Sequence, residues 1–167
     1  MLLSPEKPGI RMINGNVFYF EDPKAAEYTI QDVAEVLGKK QRFGDHARVK
    51  YSVAEHLFHA SYLYAHNRKG ALMHDAPEWL VGDQLTPIKK RIQGFDELEE
   101  LVEVDMARRF GYTPCHDPVF KVVDNILFQC EHSALFSQPK VYDIEIPFKF
   151  WGPEEAAEAF LLRFKSL

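Results

Sequence analysis

The stretch Ala71-Leu72-Met73-His74-Asp75-Ala76-Pro77-Glu78-Trp79-Leu80-Val81-Gly82-Asp83 decides how this chain is read. It is a largely apolar helical run with a histidine, an aspartate and a glutamate at its centre. On a helix His74 and Glu78, four apart, share a face, and Asp75 reaches the same point from the side. Such groups among Leu72, Met73, Trp79 and Leu80 are costly to bury unless they are paired or bind a metal. Pro77 deletes one helical N–H, so the spacing predicts a kink or a freed Met73 carbonyl. A bland alternative stands beside this. His-Asp pairs are common, and an ordinary amphipathic helix would turn all three side chains to water. Ligands elsewhere in the chain must decide.

Upstream, Ser52-Val53-Ala54-Glu55 is a capping box that opens a helix to about His66. Val53, Leu57, Ala60 and Tyr64 form its apolar stripe. His56 lies beside that stripe and, taken alone, reads as a core histidine with one satisfied hydrogen bond. His59 and His66 read as surface or packing residues. Gln41 to Lys50 has no periodicity and reads as a loop carrying Arg42-Phe43-Gly44-Asp45-His46. Loops on a rigid scaffold often hold binding residues. Thr29 caps a short helix from Ile30 to Leu37, with Gly38 as its stop. Asn14-Gly15 marks a two-residue turn in a small hairpin between Ile10 and Phe20.

Downstream, Asp83 sits just past the helix end at Gly82. Thr86-Pro87 reads as an N-cap with proline at the first helical position. Lys89, Lys90 and Arg91 follow, either as a solvated face or to meet an anionic substrate. Asp96-Glu97-Leu98-Glu99 opens a helix ending at Gly111, its buried side Leu98, Leu101, Val102, Met106 and Phe110. Asp117-Pro118 opens the next, running to about Phe136 with Val119, Val122, Val123, Ile126, Leu127 and Cys130 as apolar positions. Asp124 stands inside that pattern, and a carboxylate there needs a partner. Ser137 to Trp151 is irregular. Its Phe148, Phe150 and Trp151 either pack a subunit contact or close the domain's own core. Gly152-Pro153 begins a last amphipathic helix with Ala156, Ala157, Phe160, Leu161 and Phe164 inward.

The expectation is a single domain, residues 1–167, mainly α with a small N-terminal β-hairpin. A length of 167 residues suits one core. The net charge of −5 argues against a non-specific nucleic-acid or membrane-surface binder. Cys115 and Cys130 have neither metal spacing nor a disulfide framework, so a reducing compartment is the simpler assumption. No apolar run is long enough to span a bilayer, and Met1-Leu2-Leu3-Ser4-Pro5-Glu6-Lys7 lacks a signal-peptide layout. A cytoplasmic location is expected.

Four anomalies thus fall on three helices: His56, His74 with Asp75, and Asp124. Two imidazoles and two carboxylates suit a divalent metal in a mixed nitrogen and oxygen site. The absence of cysteine ligands argues against a closed structural zinc site. His-Asp-Ala-Pro-Glu also differs from the His-Glu-x-x-His helix of zinc peptidases.

The order His56, His74-Asp75, Asp124 resembles that of the HD-domain phosphohydrolases, whose helical bundle it implies here. Arg42-Phe43-Gly44-Asp45-His46, Tyr51-Ser52-Val53-Ala54-Glu55-His56, His74-Asp75-Ala76-Pro77-Glu78 and Gly82-Asp83-Gln84-Leu85-Thr86-Pro87-Ile88-Lys89 look like the 5′-deoxynucleotidase branch and related phage and bacterial deoxynucleotide hydrolases. Val122-Val123-Asp124-Asn125 continues the likeness. The resemblance implies that His56, His74, Asp75 and Asp124 hold one divalent ion, whether Mn²⁺, Co²⁺, Mg²⁺ or Zn²⁺. It implies that Glu78 positions or activates the attacking water and that Asp83 assists as acid or base. Arg42 would grip substrate phosphate, with Lys89 as a second phosphate contact. Phe43 stands where one well-known deoxynucleotidase type has tryptophan, so the resemblance implies a substrate contact at Phe43 with a different base recognition. His46 is either a substrate contact or a structural loop residue. The implied partners are a deoxynucleotide substrate and further copies of the chain, in a dimer or higher homo-oligomer, with no nucleic-acid polymer and no membrane.

The implied reaction is attack at the 5′ α-phosphorus. A deoxynucleoside monophosphate would give nucleoside and phosphate, and a dATP-type triphosphate would release triphosphate. A non-catalytic nucleotide-binding module is the alternative from another class.

Overall fold

The computed structural model describes residues 8–167, so the expectation about the leader layout of residues 1–7 lies outside the described residues. The chain is mainly helical with one two-stranded antiparallel hairpin, β1 (Ile10–Arg11) and β2 (Val17–Phe18). The helices are α1 (Ile30–Lys39), α2 (Val53–Leu63), α3 (Arg68–Met73), α4 (Glu78–Val81), α5 (Thr86–Lys89), α6 (Phe95–Phe110), α7 (Pro118–Phe136) and α8 (Pro153–Lys165).

The hairpin forms at Asn14-Gly15, but the turn is longer than two residues. Gly15 N–H donates to Met12 C=O (3.0 Å) and Met12 N–H to Asn16 C=O (2.8 Å). Ile13, Asn14 and Gly15 therefore make a three-residue loop, with Gly15 at φ +87° supplying the left-handed residue that loop requires. Asn14 Oδ1 accepts from Asn16 N–H (2.9 Å), which fixes the turn locally.

α2 is the central element. It packs on α1, α3, α7 and α8, and Val53, Leu57 and Ala60 are buried as the stripe predicts. Its other sides are buried too: Glu55, His56, His59 and Ser61 have almost no exposure. The Ser52 cap is present, with Glu55 N–H donating to Ser52 Oγ (3.1 Å). The Glu55 side chain takes a different role. It accepts the backbone N–H groups of Lys149 (2.6 Å), Phe150 (3.0 Å) and Trp151 (2.9 Å), pinning the irregular strap 137–152 onto α2. Trp151 packs against the main core and Phe58, while Phe148 and Phe150 pack on Tyr51 and Phe150 stays exposed, so the own-core reading holds for Trp151.

Gly38 is not a helix stop. α1 continues to Lys39, and Gly38 is where α8 presses closest: a Cβ there would sit 2.3 Å from Pro153 O and 3.2 Å from Ala157 Cβ. The predicted buried face of α6 holds for Val102 and Met106, but Leu98 is 38% exposed. On α7 the apolar reading selects the wrong side in part, since Val119 and Val122 are each 59% exposed. The inward row is instead Phe120, Asp124, Leu127, Glu131 and Leu135, spaced four, three, four and four.

Candidate metal centre

The stretch from Ala71 to Asp83 is a broken helix rather than a uniform one. α3 ends at Met73 and α4 starts at Glu78. Between them the backbone tightens to three-residue bonds: Ala76 N–H to Met73 C=O (3.1 Å), Glu78 N–H to Asp75 C=O (3.0 Å) and Trp79 N–H to Ala76 C=O (3.0 Å). Pro77 has no N–H to continue the four-residue ladder, so the Met73 carbonyl takes Ala76 instead. His74 and Asp75 thereby stand on the break, beside α2 and α7.

Three ligand atoms, from His56, His74 and Asp75, lie within 4.8 Å of one another. His56 Nε2 is 3.3 Å from His74 Nε2, and Asp75 Oδ2 is 3.6 Å and 3.3 Å from those two nitrogens. Asp124 joins from α7, its Oδ1 3.4 Å from His56 Nε2 and 3.5 Å from His74 Nε2. Donor atoms at ~2.1 Å from a shared ion stand about 3.0–3.5 Å apart, which is close to these separations.

The tautomers also fit a cation. His74 Nδ1 donates to the Ala71 carbonyl (2.8 Å), and a carbonyl only accepts. That leaves Nε2 of the neutral ring as a lone-pair donor. His56 Nδ1 likewise meets the Glu131 carboxylate at 2.5 Å. Two unprotonated Nε2 atoms facing each other repel unless a proton or a metal sits between them. Burial works against protonating either ring, yet the carboxylates raise both, Glu131 and Asp124 for His56 and Asp75 for His74. Asp75 and Asp124 lie below the ordinary carboxylate range: burial would raise them, and the two imidazoles more than reverse it.

Asp75, Glu78, Asp83, Arg42, Phe43, Lys89 and Asp124 line one cavity of about 700 Å³. A second hollow of about 590 Å³ also reaches His74, Asp75, Glu78 and Asp124. Glu78 is buried, and its Oε2 has no hydrogen-bond partner; the same holds for Asp83 Oδ2. Burial, with Asp75 and Asp83 adding, pushes the Glu78 carboxyl well above its ordinary range. Burial raises Asp83 too, against the pull of Arg42. Unpartnered buried acids with raised pKa are a mark of functional sites.

Arg42 sits in a short 3-10 turn, Arg42–Asp45, anchored by Arg42 N–H to Tyr51 C=O (2.9 Å). Its guanidinium reaches Asp75 Oδ2 (3.4 Å) and Glu131 Oε2 (3.2 Å). Phe43 holds φ +61°, a costly conformation for a bulky residue (~1–3 kcal/mol), and packs among Phe128, His132 and Phe136. Lys89 lines the cavity but is bonded to Glu99, with Asp96 Oδ1 3.7 Å away. His46 is exposed and does not line this cavity.

Sequence reasoning missed Glu131. It is fully buried and touches His56, Arg42 and, at 2.8 Å, the Tyr51 hydroxyl. Its signal was its place on α7, seven residues after Asp124 and so on the same face. Cys115 and Cys130 are both free, and among the described residues no helix is long and apolar enough to cross a membrane.

No family model matches the sequence. Over 115 residues the chain is 36% identical to an uncharacterized protein of Rhodobacter capsulatus, an alignment covering 60% of this chain and 57% of that protein. Over 127 residues it is 29% identical to the uncharacterized protein YfdR of Escherichia coli K12, covering 75% of this chain and 71% of YfdR. The alignment thus takes in little more than half the length of the Rhodobacter relative. The geometry itself shows a mainly helical chain in which His56, His74 and Asp75 could hold a metal ion.

Proposed function

We propose that this chain is an HD-domain phosphohydrolase that uses one divalent ion to cleave the 5′-phosphoester of deoxynucleotides, giving nucleoside and phosphate from the monophosphate. The observation that carries this reading is the convergence of His56, His74, Asp75 and Asp124, whose two aspartates line a cavity that also holds two unpartnered acids and an arginine. An ion held by those side chains would supply Lewis-acid chemistry, making water more acidic and polarising a phosphoryl oxygen. Glu78, with its raised pKa, is suited to accept a proton near neutral pH and to orient the nucleophile. Asp83, also raised, is suited to donate to the departing nucleoside oxygen. Arg42 would bind phosphate through its planar fork.

The charge of the cavity supports a monophosphate over a triphosphate. Arg42 and Lys89 are already paired with carboxylates, and Asp75, Glu78, Asp83 and Asp124 line the same space. A triphosphate would bring about two more negative charges than a monophosphate, and beyond Arg42 and Lys89 the lining holds one further cation, Lys121. The test is His74→Ala and Asp75→Ala, each expected to abolish turnover of deoxynucleoside 5′-monophosphates while the circular dichroism of a folded chain persists. A variant that keeps most of its metal-dependent activity refutes the assignment.

A further inference from the structure

Glu131 is a carboxylate with no exposure, in the middle of a helix, facing a packed interior. A lone charge there is strongly unfavourable, so its partners define its purpose. They come from three separate segments. Oε1 accepts from His56 Nδ1 (2.5 Å) on α2 and from the Tyr51 hydroxyl (2.8 Å) just before it. Oε2 faces Arg42 Nη2 (3.2 Å) in the 3-10 turn.

The bond to His56 has a directional consequence. An imidazole whose Nδ1–H donates to a carboxylate keeps its lone pair on Nε2, and its ring cannot turn without breaking that bond. Here Nε2 is the atom that meets His74, Asp75 and Asp124. The two histidines are held differently: His74 is backed by the Ala71 backbone carbonyl, His56 by the Glu131 side-chain carboxylate. A carboxylate behind an imidazole makes it the more basic ligand. The same carboxylate also fixes Arg42, which in turn touches Asp75.

We propose that Glu131 is the positioning residue of the metal centre, setting the tautomer and ring orientation of His56 and tying Arg42 to the ligand set. This rests on the reading of His56 as a metal ligand, and the experiment separates the two.

The probe is Co²⁺ titrated into metal-stripped full-length protein, read by calorimetry and by the visible absorption of the bound ion. Glu131→Gln keeps the volume and one acceptor but removes the charge. It should weaken Co²⁺ binding by about 10–100-fold and alter the absorption spectrum. The control is Asp105→Asn. Asp105 is a buried carboxylate bonded to Tyr28 (2.7 Å), Arg108 (2.6 Å) and Arg109 (3.3 Å), much as Glu131 meets a tyrosine and an arginine, but with no histidine. It should lower thermal stability and leave Co²⁺ affinity at the wild-type value. A folded Glu131→Gln protein with wild-type affinity and spectrum overturns the proposal. So does an Asp105→Asn protein that loses Co²⁺ affinity to the same extent, because the effect is then one of general stability. If Glu131→Gln does not fold, Tyr51→Phe removes one bond to the carboxylate and should weaken Co²⁺ by about two- to fivefold; unchanged affinity overturns the proposal. Wild-type protein that takes up no Co²⁺ fails at the earlier step, and the metal reading falls with it.

Discussion

Replacing Glu55 with glutamine should loosen the strap over the core without touching the cavity. In the native protein one carboxylate accepts three backbone N–H groups in a row, from Lys149, Phe150 and Trp151, at 2.6–3.0 Å. Oε1 takes the first two and Oε2 the third. A glutamine has one carbonyl oxygen, so the amide nitrogen must stand where Oε2 was, facing the Trp151 N–H as donor against donor. One bond is lost and two lose their charge assistance. With charge-assisted bonds worth ~1.5–3 kcal/mol and neutral ones about 1 kcal/mol, the cost is about 2.5–7 kcal/mol.

The pH dependence has a definite sign. Burial would raise the Glu55 carboxyl, but His59 and the three backbone donors carry it below its ordinary value. A lowered folded pKa gives stability that is fully present above the unfolded value, ~4.3, and is lost as pH falls through the folded one. The gap between wild type and Glu55→Gln should therefore be widest at neutral pH and close in acid. Urea unfolding across pH 3–7, with hydrogen exchange at the amides of residues 149–151, measures both effects. Equal stabilities within about 0.5 kcal/mol at pH 7, together with wild-type exchange at those amides, would refute the reasoning.

Other perturbations follow from the same geometry. Gly38→Ala puts a Cβ 2.3 Å from the Pro153 carbonyl, and the clash of α1 with α8 should cost about 1–3 kcal/mol, read as a lowered Tm. Glu78→Gln should behave in the opposite way. Because burial raises the Glu78 carboxyl, its ionisation destabilises the fold as pH rises, so in metal-free protein the glutamine variant should be the more stable by about 0.5–2 kcal/mol at pH 8 while losing activity. A Glu78→Gln protein less stable than wild type at that pH contradicts the account.

Much of the scaffold was legible because capping residues are local. Thr29 caps α1, Ser52 caps α2 and Asp117 caps α7, as the sequence predicts, although the Glu55 half of the Ser52 box is given over to the strap. Gly38 was misread because sequence shows only that a side chain is missing. Whether the glycine turns the chain or admits a neighbour depends on α8, more than a hundred residues away. The face of α7 was misread for a related reason. Counting apolar letters favours Val119 and Val122, whereas the inward row carries the half-buried Asp124 and the fully buried Glu131, two acids that such a count scores against. Asp124 was caught as an anomaly. Glu131 was not, since its partners Tyr51, His56 and Arg42 are distant in sequence. The orphaned oxygens of Glu78 and Asp83 are likewise visible only once burial is known.

The most direct test of the central claim is product analysis with metal-stripped protein, after adding back Mn²⁺, Co²⁺, Mg²⁺ or Zn²⁺ separately, against deoxynucleoside mono- and triphosphates. The account predicts nucleoside and orthophosphate from the monophosphates, in a metal-dependent way. Nucleoside with intact triphosphate would move the activity to the triphosphate substrate, and no product with any metal would contradict the phosphohydrolase assignment itself.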